Sequence, residues 1–100
     1  MMDRDPDLKP VHPGEVLKED FLQPMGISQN RLALAIHVQP IRISEIVRGK
    51  RAITADTALR FGRFFGTTAD FWMRLQAAYD VDVARFEMDE TLQNIEPHAA

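Results

Sequence analysis

The chain has 100 residues, 45% of them hydrophobic, a net charge of −3 and no cysteine. That length holds one domain with a helical core of modest stability. The composition excludes disulfides, thiol catalysis and cysteine-ligated zinc, and no apolar run approaches the roughly 18 residues a membrane span requires.

Residues 1–12 are expected to be flexible. Asp3, Asp5 and Asp7 alternate with Arg4 and Pro6, a pattern that offers nothing to a core. The segment is polar and acidic, unlike a signal peptide, so a cytoplasmic protein is expected. The domain is expected over 13–90. Its first helix is predicted over 13–22, with Val16, Leu17 and Phe21 inward and Glu15 at the end that favours an acid. Gln23-Pro24-Met25-Gly26 should break it.

From Ser28 to Arg51 the sequence reads as two short helices joined by a tight turn. Ser28 caps the first, which turns Leu32, Ala33 and Ile36 inward; Ile43, Ile46 and Val47 form the inward stripe of the second. Val38 plugs the turn, and His37 takes the position that calls for a positive φ. Pro40 suits the first turn of the second helix and Gly49 suits its end. That grammar is a helix-turn-helix. Periodicity alone equally allows a buried helical hairpin. Charge shifts the balance: residues 31–63 hold Arg31, Arg42, Arg48, Lys50, Arg51, Arg60 and Arg63 against Glu45 and Asp56, a net of +5 in an acidic chain. A basic island on such a motif predicts a nucleic-acid face.

Thr54 caps a fourth helix with Ala55, Ala58, Leu59, Gly62 and Phe65 near one face. Thr68 caps a fifth, along which Trp72, Leu75, Tyr79, Val83 and Phe86 form a seam. Asp80 and Asp82 are expected to fray or bend it. Trp72 and Phe71 suit either the core or a second copy, and residues 91–100 are expected to be a flexible tail. No strand pattern is present, so the predicted fold is all-α, a five-helix bundle.

The candidate DNA-facing residues follow from the motif. Ser28, Gln29 and Arg31 open its first helix, and Gln39, Pro40, Ile41, Arg42 and Ser44 open its second. Arg48, Lys50 and Arg51 follow it. Arg42 is expected to read a guanine or meet a phosphate, and Gln39 an adenine or a phosphate. Gln29, Arg48, Lys50 and Arg51 are expected on phosphates. Tyr79, Val83 and Phe86 are the candidate dimer contacts. No enzyme, metal or cofactor is expected. His12, His37 and His98 are far apart, Ser28 and Ser44 lack a nearby base, and Glu15, Glu19 and Asp20 read as a solvated face.

The stretches HPGEVLKEDF, SQNRLALAI and RISEIVRGKRAITADTALRFGRFFGTTADFWMRLQAAYD resemble the HigA-type antitoxins. These are also known as plasmid-maintenance antidote proteins of the VapI type, within the XRE group of phage-repressor-like helix-turn-helix proteins. The resemblance runs from about His12 to Phe86. It implies a five-helix phage-repressor fold and a homodimer that represses its own operon. It also implies a HigB-type toxin partner, a small basic ribonuclease that cuts mRNA on the ribosome, for which the acidic stretch from Asp3 to Asp20 is the expected docking region. Two positions depart from the pattern. Ile41 stands where relatives often carry a polar residue, so thymine-methyl contact would replace a hydrogen bond there. Arg48 stands where many have asparagine, which suits a phosphate contact. A stand-alone regulator without a toxin, and a protein-interaction module of the same fold, are the alternatives.

Overall fold

The computed structural model describes residues 9–99. Asp3, Asp5 and Asp7, and with them most of the expected flexible segment, lie outside the described residues. Six helices and no strand are present among those described. No helix among them is long and apolar enough to cross a membrane.

Helix α1 is one continuous run built of three parts: Pro13–Val16 is α-helical, Leu17–Leu22 is π-helical and Gln23–Met25 is α-helical again. The sequence places its end at Leu22, before the proline. The helix instead passes through Pro24, and Gly26 ends it at φ 64°. The cause is the π segment. It shifts the hydrogen-bond register by one residue, so that the Gln23 N–H donates to the Lys18 carbonyl. Pro24, which has no N–H to donate, then falls where the register changes. His12, placed by sequence in the flexible segment, is in fact buried. It caps α1, its Nδ1 accepting the Gly14 N–H at 2.9 Å.

Helix α2 is Gln29–Ile36 and α3 is Pro40–Val47. Ser28 Oγ caps α2 by accepting the Arg31 N–H at 3.0 Å. His37 ends α2 at φ 63°, the expected left-handed conformation. The Val38 N–H donates to the Ala33 carbonyl, and the Val38 side chain packs on the core. At the end of α3 the Lys50 N–H donates to the Glu45 carbonyl and the Gly49 N–H to that of Ile46. This Schellman closure requires Gly49 to sit at φ 73°.

Helix α4, Ala55–Phe65, buries Thr57, Ala58, Phe61 and Gly62. Of the expected face, Ala58 and Gly62 are buried and Phe65 packs on the core, but Leu59 is 65% exposed while Phe61 is fully buried. Helix α5, Ala69–Glu87, is capped by Thr68 and runs unbroken past Asp80 and Asp82. Asp80 is held to its own helix by Gln76 Nε2 at 2.9 Å. A sixth helix, α6, spans Asp89–Gln93 and buries no residue.

The core gathers Leu17 and Leu22 of α1, Leu32, Ala33 and Ile36 of α2, and Ile43 and Ile46 of α3 around Phe61 and Trp72. The Trp72 ring meets Phe21 at 4.9 Å and Phe61 at 5.0 Å between centroids. Its indole N–H donates to Thr67 Oγ1 at 2.8 Å, so this buried polar handle is satisfied.

Candidate nucleic-acid interface

Helix α3 is positioned from both sides. On its inner side Gly14 of α1 lies so close that a Cβ built there would fall 1.8 Å from the Ile46 carbonyl oxygen. Below, Ile43 and Ile46 sit in the core. What remains outward at its start is Gln39, Pro40 and Ile41, with Ile41 52% exposed. Ser44, half-buried, lies one turn further on. The Gln39 side chain makes no capping bond, so its amide is available at the surface.

Apart from Arg63, exposed on α4, the basic residues of segment 31–63 divide into two groups. Arg31, Arg48, Lys50 and Arg51 are exposed around the motif. Arg51 is tethered, its Nε donating to Glu45 Oε1 at 2.8 Å, and Arg48 Nε reaches the Ser44 carbonyl at 3.4 Å. The second group faces inward. Arg42 turns back onto α4, donating to Asp56 Oδ1 at 2.9 Å and Thr57 Oγ1 at 3.4 Å. The same Asp56 oxygen accepts Arg60 Nε at 2.7 Å. Arg60 in turn donates to the Ile36 carbonyl at 2.7 Å and the His37 carbonyl at 3.3 Å, capping the end of α2. Hydrogen bonds from Arg60 and then Arg42 hold the Asp56 carboxyl below the ordinary carboxylate range.

Of the other residues singled out by sequence, Ser28 spends its hydroxyl on the cap of α2. Gln29 is half-buried beside it. The candidate dimer residues differ among themselves. Tyr79 is half-buried, its ring edge-on to His12 at 4.8 Å within the same chain. Val83 is half-buried and Phe86 is 52% exposed. Sequence reasoning missed three organising groups: Gly14, the Asp56–Arg60 pair, and Gln76, whose buried Oε1 accepts the Ile53 N–H at 2.8 Å. The i, i+4 spacing of Asp56 and Arg60 was the one available signal.

The arrangement offers hydrogen-bonding and apolar groups at a helix start, flanked by cations. That combination suits a major groove bordered by phosphates. A helix-turn-helix family model matches residues 18–72. The chain is 52% identical to virulence-associated protein I of Dichelobacter nodosus over 89 residues, covering 89% of this chain and 81% of that one. It is 35% identical to antitoxin HigA-1 of Vibrio cholerae, covering 89% and 84%. Among solved structures, Pseudomonas aeruginosa antitoxin HigA with the higBA promoter superposes with a TM-score of 0.87 at 41% identity, covering 91% of this chain and all of that one.

Proposed function

The chain belongs to the HigA-type antitoxins of the helix-turn-helix family, and from that premise we propose that it represses its own operon through α3 and neutralises a HigB-type toxin. It acts by binding, in the cytoplasm, as a homodimer and without a cofactor. The observation that carries the reading is the exposed start of α3: the Gln39 and Ile41 side chains stand free of internal hydrogen bonds, with Arg31, Arg48 and Lys50 on the surrounding surface. In this reading Gln39, Ile41 and Ser44, seated behind Pro40, face base edges. Ser28 and Gln29 bring the start of α2 to a phosphate, and Arg31, Arg48, Lys50 and Arg51 meet further phosphates. The structural relative with the higBA promoter supports DNA as the partner.

The toxin would be a small basic ribonuclease. Glu15, Glu19 and Asp20, all exposed on α1, offer it an acidic face. Such charges act chiefly on association rate.

Two measurements test the reading together. Co-expression with the adjacent reading frame should yield a retained small basic protein whose toxicity is relieved. A gel-shift titration on the upstream region should show binding at least about a thousandfold tighter than to random duplex, the low end for specific recognition. No retained partner would favour the stand-alone regulator, and equal affinity for random DNA would reject operator recognition.

A further inference from the structure

Arg42 sits in the first turn of α3, on the element that the functional reading sends into the major groove, yet its guanidinium is engaged elsewhere. It is bonded to Asp56 and Thr57 at the start of α4. Thr57 is buried, so its hydroxyl gives the guanidinium a second, part-buried partner at 3.4 Å. The Asp56 oxygen that receives Arg42 also receives Arg60, and Arg60 is anchored on the last carbonyls of α2. A single carboxylate thus ties together α2, α3 and α4, the two motif helices and the one that supports them. Arg42 carries 31% side-chain exposure in this arrangement, whereas its neighbour Ile41 has no tether and faces outward.

Asp56 is one of only two acids in the basic segment 31–63. The other, Glu45, holds Arg51 in the same way. Both acids are spent on arginines that a charge count assigns to DNA.

We propose that Asp56 is a positioning residue that sets DNA specificity: by holding Arg42 against α4 it keeps that guanidinium off the base edges, so that α3 reads DNA with Gln39, Ile41 and Ser44. The proposal rests on the reading that α3 enters the major groove. Arginine pairs bidentately with guanine more readily than any other side chain pairs with a base. An unrestrained Arg42 at a helix start would therefore impose guanine at one position of each half-site. Held by Asp56, it leaves that position to the apolar contact of Ile41.

The test compares wild type, Arg42→Ala, Asp56→Asn, Asp56→Glu and the double variant Asp56→Asn/Arg42→Ala. Each is titrated against the operator and a set in which every base pair of a half-site is replaced singly. Asp56 is exposed, so all should fold, and thermal unfolding checks that they do. Arg42→Ala should keep the wild-type order of base preferences. Asp56→Asn should gain about a tenfold preference for guanine at one position. Its salt slope should steepen by about one, as a freed cation reaches the DNA. Both changes should vanish in the double variant, and Asp56→Glu should restore the wild-type pattern. A structural role alone would lower affinity without creating a new base preference. The proposal is overturned if Arg42→Ala by itself erases a preference, or if Asp56→Asn leaves preference and slope unchanged while wild type still selects its operator. A wild-type protein that selects no operator overturns the functional reading itself, and this inference with it.

Discussion

His12 joins three parts of the molecule through one ring. Its Nδ1 accepts the Gly14 N–H, so the neutral ring carries its proton on Nε2. One face meets Tyr79 of α5. The loop after α3 comes close as well: a Cβ added at Gly49 would lie 3.7 Å from the ring. Burial lowers the His12 pKa from 6.5, opposed by the charges of Asp80 and Glu15. A proton taken up at Nδ1 would remove the cap. The folded protein therefore binds this proton less readily than the unfolded chain. His12 contributes its stability above about pH 6.5, and that contribution declines as pH falls below the unfolded value. Urea midpoints at about pH 7.5 and 5.5 should drop more for wild type than for His12→Asn, which keeps an N-cap acceptor but does not titrate. Equal drops would remove His12 as the titrating group. Sequence put His12 in a flexible end because its partners, Gly49 and Tyr79, are remote in the chain. The Arg42–Asp56 pair was hidden for the same reason, since nothing local marks Asp56 as the partner of Arg42. Ile41 and Lys50 were legible because exposure at a helix start or just past a glycine stop follows from local pattern.

At the scale of elements, most helix limits were legible because they depend on caps. Ser28, Thr54 and Thr68 each accept a backbone N–H from the residue three positions on. His37 and Gly49 adopt the left-handed conformations their positions require. The continuation of α1 through Pro24 was not legible, because a π segment changes register without any residue type that announces it. On α4 the sequence pattern allowed Leu59 or Phe61 inward, and the Phe65 and Trp72 rings that Phe61 meets belong to packing the local pattern does not show. The α1–α3 crossing shows what element packing contributes to the site. With Gly14 pressed onto the Ile46 carbonyl, Gly14→Ala has backbone, not a flexible side chain, in its way. The substitution should destabilise the fold by about 3 kcal/mol, the upper end of ordinary overpacking. It should also weaken operator binding under conditions where the protein remains folded, because α3 must shift to admit the methyl group. Chemical denaturation and a gel shift on one preparation check both effects. An unchanged midpoint would show that the two backbones are free to part.

For the whole molecule, one α3 presents too few side chains to select an operator, and a two-fold pair would set two copies about 34 Å apart on successive major grooves. The far part of α5 and the segment after it leave Val81, Phe86, Met88, Leu92 and Ile95 exposed, apolar side chains that a second copy could cover. We expect Phe86→Glu to convert a dimer into a folded monomer in sedimentation, with unfolding little changed because the ring is exposed. A stable dimer would place the interface elsewhere. Tyr79 is a weaker candidate than Phe86 because His12 of its own chain already packs on it. If the start of α3 reads the operator, Ile41 is the side chain whose removal should show it. Wild type and Ile41→Ala are titrated against an operator series with each base pair replaced in turn. Wild type should prefer thymine at one symmetry-related position in each half-site by about 1 kcal/mol or more. Ile41→Ala should lose that preference alone, with its salt slope unchanged because no phosphate contact is removed. A variant whose base preferences match wild type at every position would contradict the assignment of α3 as the reading element.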